Sequence, residues 1–169
     1  NGEEYYKSAG KGNKIKGFEI ELAGEVMRDW NMMAGYTYTH SRDSEGQRLN
    51  SASPLNLFKL SSTYRLPGQW RALTVGAAVN WQSDIFREAW RPTGGKDEKG
   101  EPITVADTIT QKSYTLVDLM ARYEFDKHLS ATLNVKNLFD QKYYDNVGFY
   151  NGVFWGDPRT VNVGIEWKL

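Results

Sequence analysis

Apolar and polar residues alternate along most of this chain. In the closing stretch RTVNVGIEWKL, Val161, Val163, Ile165, Trp167 and Leu169 are apolar, while Thr160, Asn162, Gly164, Glu166 and Lys168 are small, polar or charged. Successive strand side chains point to opposite faces, so the pattern predicts a strand with one greasy face and one wet face. The same pattern recurs upstream. Asn1 to Asn13 is polar and Gly-rich and reads as loop; Phe18, Ile20, Leu22 and Val26 then alternate with Glu19, Glu21, Ala23 and Glu25. A turn at Arg28-Asp29 leads to a second strand, with Met32, Ala34, Tyr36 and Tyr38 opposite Gly35, Thr37 and Thr39. After a polar loop, Ser41 to Ser53, the third strand sets Phe58, Leu60 and Tyr64 against Lys59, Ser61, Thr63 and Arg65. Pro67-Gly68 is a strong turn signal. The fourth strand follows, with Leu73, Val75, Ala77, Val79 and Trp81 against Thr74, Gly76, Asn80 and Gln82. Asp84 to Gln111 has no sustained period and reads as a long loop. The fifth strand alternates Val117, Leu119, Ala121, Tyr123 and Phe125 with Asp118, Arg122 and Glu124. A turn at Asp126-Lys127-His128 starts the sixth, with Leu129, Ala131, Leu133, Val135 and Phe139 opposite Ser130, Thr132, Asn134 and Lys136. An aromatic, Gly-rich loop, Tyr143 to Pro158, precedes the last strand.

The pattern thus predicts about seven strands of roughly ten residues, longer than is usual in soluble sheets. Short turns at Arg28, Pro67 and Asp126 alternate with long loops at Ser41, Asp84 and Tyr143. Short turns on one rim, long loops on the other and strands of bilayer-spanning length describe an all-β, antiparallel transmembrane barrel of the outer-membrane kind. Glu19, Glu21, Lys59, Arg65, Asp118, Arg122, Glu124 and Lys136 would face a lumen, and the apolar face would meet outer-membrane lipid. Aromatics gather at the strand ends. Trp30, Tyr64, Trp70, Tyr123, Phe125 and Trp167 fall near the short-turn rim, and Tyr36, Tyr38, Phe58, Trp81 and Phe139 towards the other, as two interfacial girdles. A soluble β-sandwich binding module is the alternative, since its strands also alternate. An odd number of strands cannot close a bacterial barrel alone. The chain is therefore expected to be the C-terminal part of a larger barrel, processed or cut from something longer, with residues 1–169 all barrel.

Composition narrows the reading further. Of 169 residues, 14% are aromatic, with ten Tyr and six Trp, so much of the apolar surface is ring. Net charge is zero, which gives no electrostatic case for nucleic acid or for anionic membrane surfaces. Without Cys there is neither a disulfide framework nor a thiolate metal site. No run approaches the length of a membrane helix, and no signal peptide is expected within this chain. No nucleophile elbow, phosphate-binding Gly loop or HExxH motif occurs, so no catalytic residue is proposed and the chain is not expected to be an enzyme.

Two C-terminal segments carry a resemblance. Asn137-Leu138-Phe139-Asp140-Gln141-Lys142-Tyr143-Tyr144, followed by Gly156-Asp157-Pro158-Arg159 and an alternating terminal strand, resembles the end of TonB-dependent outer-membrane receptors, above all ferric-siderophore receptors of the coprogen and pyoverdine type. Lys16-Gly17-Phe18-Glu19-Ile20-Glu21 and Ser53-Pro54 ahead of Phe58-Lys59-Leu60 are similar to earlier strands of the same family. Leu169 departs from the pattern, standing where these barrels usually end in Phe or Trp. The resemblance implies a plugged barrel of about 22 strands, of which this chain would supply the C-terminal fragment without the plug domain. It further implies a multi-pass protein of a Gram-negative outer membrane. Its partners would be a ferric siderophore, the plug and remaining strands, and the TonB-ExbB-ExbD complex acting through an N-terminal segment. Receptors or porins for cobalamin, haem or a glycan share the scaffold and remain open.

Ligand contacts are expected from the long loops, because rigid scaffolds place recognition there. Phe86, Arg87, Trp90 and Arg91 interleave rings and cations in the longest loop, which suits an anionic iron chelate through stacking and charge-assisted hydrogen bonds. Their alternative is a girdle edge with a solvated loop. Phe149, Tyr150, Phe154 and Trp155 form a second aromatic cluster, whose alternative is packing of the last loop on its neighbours. Arg159 would pair with a lumen carboxylate and set the start of the final strand with Asp157 and Pro158. Asn137 would hydrogen-bond near the outer interface. His40 and His128 fall on opposite rims, so no His-pair metal site is expected. No cofactor is expected, since iron would arrive already chelated.

Overall fold

A computed structural model describes residues 12–49, 53–149 and 152–169. Its strands, in chain order, are β1 (Lys14–Met27), β2 (Trp30–Arg42), β3 (Asn56–Arg65), β4 (Leu73–Gln82), β5 (Ile85–Lys96), β6 (Pro102–Gln111), β7 (Tyr114–Glu124), β8 (Leu129–Lys136), β9 (Tyr144–Phe149), β10 (Gly152–Trp155) and β11 (Thr160–Trp167). Seven of them form one antiparallel sheet in the order β1-β2-β3-β4-β7-β8-β11, and β5-β6 and β9-β10 form two separate two-stranded ribbons. The alternating stretches of the sequence are the seven sheet strands. The sheet is open, with β1 and β11 at its edges.

Register brings the apolar positions into rows that cross the sheet. Ile20 lies opposite Tyr36, Tyr36 opposite Phe58, and Phe58 opposite Trp81. Lower down, Val75 faces Ala121, Ala121 faces Leu133 and Leu133 faces Val163. A slip of one residue would send each of these side chains to the other face, so burial of one face pins the pairing. Among the described residues nothing covers this face. Phe18, Ile20, Leu22, Val163, Ile165 and Trp167 are all more than half exposed. A single sheet with a bare apolar face has no sandwich partner, and its strands of 8 to 14 residues span the length a tilted bilayer strand needs.

Rings cluster at both ends of that face. Phe18 lies within 5.9 Å of both Tyr36 and Tyr38 by ring centroid, towards the long-loop rim. Trp30 with Tyr64, Tyr123 with Phe125, and His128 with Trp167 form the set at the short-turn rim.

The opposite face carries the charge. Near the short-turn rim an ion-pair chain runs across three strands: Arg65 to Glu124 at 2.5 Å, Arg122 to Glu166 at 2.7 Å, and Lys168 to Glu166 at 3.5 Å. Each pair is half exposed and contributes at most about 1 kcal/mol.

Three expectations change. Asp84 to Gln111 is a hairpin rather than a loop. Both its faces carry polar residues, which hides the period; its turn is a tight one in which Asp97 accepts from the Lys99 and Glu101 backbone and Gly100 takes a positive φ of 84°. Tyr143 to Pro158 likewise contains the β9-β10 ribbon. The sixth strand stops at Lys136 instead of running through Phe139. Asn137 and Asp140 adopt positive φ of 49° and 52°, which turns the chain out of the sheet and leaves Phe139 72% exposed.

Candidate functional site

The buried apolar side chains of the described residues lie where the two ribbons meet, at the long-loop rim. Ile85 and Ala89 on β5, Val147 on β9 and Tyr143 just before it form this small core. β9 packs against both β5 and β6. Gln111 at the end of β6 accepts from the Tyr144 backbone at 2.7 Å, and the Tyr114 and Tyr143 rings lie 4.5 Å apart. Burial pushes the Tyr143 phenol above its ordinary value, with Asp145 adding to the shift.

The link between this core and the sheet is Asn137. It is 4% exposed; its amide donates to the Gln141 and Asp157 carbonyls, and its side-chain oxygen accepts from the Gln141 backbone. Its own N–H donates to Asp118 on the lumen face at 2.8 Å. Asn137 thus hydrogen-bonds near the outer interface, as expected, and does so as a buried junction. Gly156 completes it. A Cβ there would stand 2.0 Å from the Tyr143 ring, so only glycine lets the ring lie flat on the chain.

The residues singled out in the longest loop separate onto two faces of β5. Alternation puts Phe86 and Trp90 on one side and Arg87 and Arg91, with the buried Ile85 and Ala89, on the other. The four therefore do not converge. Arg91 donates to Asp107 across the hairpin at 3.0 Å, and Asp107 lies below the usual carboxylate range because the Thr108 N–H and then Arg91 stabilise its anion. Arg87 is exposed. Trp90 is 59% exposed, whereas Phe86 is half-buried beneath a cation. That cation is Arg48, from the β2-β3 loop. Its guanidinium lies 4.8 Å from the Phe86 ring centroid and donates to the Asp84 carboxylate and carbonyl, each at 3.1 Å. Sequence reasoning missed Arg48, and nothing local marks it, since its partner is 36 residues away.

In the second cluster Phe154 and Trp155 are exposed, and the Trp155 ring lies 4.5 Å from that of Tyr144. Tyr150 and the Phe149 side chain lie outside the described residues; the Phe149 backbone pairs with Gly152. Arg159 corrects an expectation. Its backbone N–H donates to Asp140 at 2.9 Å and its guanidinium to the Leu138 carbonyl at 3.4 Å, so it ties the loop before β11 to the turn after β8 instead of reaching the lumen. On the lumen face below the ribbons, Lys59, Asn80, Gln82 and Tyr114 line an open cleft of about 290 Å³. Among the described residues no three His, Asp or Glu side chains stand close enough to hold a metal ion.

The rim therefore presents exposed indoles and guanidinium groups on braced ribbons, above a cleft of mixed polar and apolar lining that includes Leu57, Trp81 and Leu116. Stacking and charge-assisted hydrogen bonds are the chemistry such a surface offers.

Comparison with known proteins gives a consistent picture. Residues 1–138 match the family described as TonB dependent receptor-like, beta-barrel. The chain is 38% identical over 158 residues to the ferric-pyoverdine 358 receptor of Pseudomonas putida, a match that covers 94% of this chain and 18% of that protein. The ferripyoverdine receptor of the Pseudomonas aeruginosa outer membrane, solved with ferripyoverdine bound, superposes with a TM-score of 0.80 at 35% identity, over 92% of this chain and 19% of the other. The siderophore receptor PiuA of Acinetobacter baumannii superposes with a TM-score of 0.68 at 25% identity, over 92% and 22% of the two chains. This chain thus spans about a fifth of the length of these relatives.

Proposed function

The chain belongs to the TonB-dependent receptor-like β-barrel family, and from that premise we propose that it supplies C-terminal barrel strands and extracellular loops to a receptor that imports a ferric siderophore, energised through TonB. The family is one of receptors rather than enzymes, and its barrels sit in the outer membrane of Gram-negative cells. The observation that carries the reading is the division of one seven-stranded sheet into a predominantly apolar face and a charged face. A wall of that kind belongs between lipid and a water-filled or plugged lumen. Identity with receptors whose names specify ferric pyoverdine supports a chelated-iron ligand. The long-loop rim supports it too, because exposed Trp90 and Trp155 can stack on aromatic groups of a chelator, and Arg87 and Arg91, on the opposite side of β5 from Trp90, offer the alternative of a charge-assisted contact. The plug, the remaining strands and the TonB-ExbB-ExbD complex complete the proposed machine. Iron is cargo, held by the chelator.

The test is uptake of radioactive iron by cells that carry this receptor as their single siderophore receptor, supplied with ferric pyoverdines, ferric catecholates, ferric hydroxamates and, separately, haem and cobalamin. Accumulation of iron from one ferric siderophore, lost when tonB is deleted, is expected. Uptake of haem or cobalamin with none of the ferric siderophores would overturn the assignment.

A further inference from the structure

The apolar face changes character beyond its upper aromatic rows. Moving up the β1-β2 pair from Ile20 and Tyr36, the next opposed pair on that face is Phe18 with Tyr38, then Lys16 with His40, then Lys14 with Arg42. All of these share the side of the sheet that meets lipid, since paired residues and alternate residues lie on one face. Two residues advance a strand by about 7 Å, and strands of such barrels tilt by about 40°, so the basic rows stand roughly 5 and 10 Å above the Phe18 ring. The lower row lies at the depth of the headgroup layer, about 5–8 Å thick outside the hydrocarbon core, and the upper row at its outer edge.

These side chains enclose a cleft of about 650 Å³ together with Gly12, Asp43, Ser44 and Gly46. Lys14, Lys16 and Arg42 are exposed. Asp43 is the one carboxylate of the lining among the described residues, and its Oδ1 is already engaged by the backbone N–H groups of Glu45 and Gln47, each at 2.9 Å. Arg42 is braced by donating to the His40 ring and to the Gly46 carbonyl, and His40 is stacked over Tyr38 with an interplanar angle of 18°. The cleft therefore holds a preset excess of positive charge, immediately above an aromatic girdle, on the outside of the barrel.

We propose that the cleft between the extracellular ends of β1 and β2 holds the phosphate groups of an outer-leaflet anionic lipid, with Lys14, Lys16 and Arg42 as the phosphate-binding side chains and His40, stacked on Tyr38, as its floor. Charge complementarity selects the headgroup, and the continuous apolar face below it selects a ligand with acyl chains. The inference rests on the barrel reading for its orientation and is independent of what the receptor transports. A lipid held here ties the β1-β2 hairpin to the leaflet.

The test uses the intact receptor in phosphatidylcholine nanodiscs, titrated with bis-phosphorylated lipid A, with lipid A from which both phosphates have been removed, and with inorganic phosphate. Bound lipid is counted by native mass spectrometry. The wild type is expected to take up the bis-phosphorylated lipid, and K14Q/K16Q to bind it at least about tenfold more weakly, while K14R/K16R retains it. The single variant K16Q reads the same effect as a smaller loss, and heat-modifiable migration on gels reports that each variant is folded. Equal binding by wild type and K14Q/K16Q, equal binding of the dephosphorylated lipid, or tight binding of inorganic phosphate alone would overturn the assignment. Iron uptake by the same variants separates the two readings, since it is expected to persist when lipid binding is lost.

Discussion

Asn137 shows how one side chain can hold a rim together. Its position in the sequence, after Val135 and Lys136, suggests one more strand residue. In the structure it is enclosed, left-handed and hydrogen-bonded through every polar group of its side chain. Asn tolerates positive φ better than most residues, and its amide both donates and accepts. Asn137→Ala removes both functions and leaves the Gln141 N–H and two carbonyls without this partner. The expected cost is about 2–3 kcal/mol of local stability. The measurement is hydrogen exchange: amides of residues 140–147 should exchange faster in the variant while those of β3 and β4 do not change. Uniform acceleration across the whole sheet would show that Asn137 supports the barrel instead of the rim.

At the scale of the element, the β5-β6 hairpin gives the loop residues a geometry that composition could not. Phe86 and Trp90 project to one side of β5, Arg87 and Arg91 to the other, with Ile85 and Ala89 anchoring the second side against β9. One rigid ligand cannot engage both sides of a single strand. Alanine substitution of the two pairs should therefore have unequal effects on uptake of the ferric siderophore. One double variant is expected to raise the half-saturating concentration about tenfold or more, as the loss of a stacking or charge-assisted contact does, and the other to leave it within about twofold. Half-saturation curves for F86A/W90A and R87A/R91A decide which face is bound. Comparable losses in both would mean that the hairpin untwists to wrap the ligand. Arg48 braces the base of this element by pinning Phe86 and Asp84, so the β2-β3 loop and the hairpin move together.

For the whole molecule, the two faces of the sheet make opposite demands of the same residue type. Ala77 and Ala78 are adjacent near the middle of β4. Ala77 lies in the apolar row with Ser62 and Leu119, and Ala78 in the lumen row with Ser61 and Asp118. Ala77→Lys places a charge in hydrocarbon and should cost about 2–4 kcal/mol. Ala78→Lys places it beside Asp118 in a polar environment and should cost less than about 1 kcal/mol. Urea titration of the receptor folded into lipid vesicles measures both. Equal losses would contradict the assignment of the lipid-facing side.

Much of this architecture was legible in the chain itself. Val161, Val163, Ile165 and Trp167 alternate with Asn162, Gly164 and Glu166, and period two is a property of neighbouring residues, so strand, face and rim follow without knowledge of the fold. The NLFDQKYY and GDPR segments likewise carry their family resemblance in local order. What the tertiary structure decided depends on partners far apart in sequence. The Arg65-Glu124 and Arg122-Glu166 pairs join residues 59 and 44 positions apart, and Arg48 finds Asp84 only because two loops meet. The β5-β6 ribbon escaped the pattern because both of its faces carry polar residues, which removes the contrast on which periodicity depends, and β9 and β10, of six and four residues, are too short to show a period. The basic cleft escaped it for another reason. Lys14 and Lys16 open one alternating stretch while His40 and Arg42 follow the end of the next, and only the register of β1 against β2 sets them in two rows on the lipid side. Local alternation determines which way a residue faces; pairing across the sheet determines whom it meets.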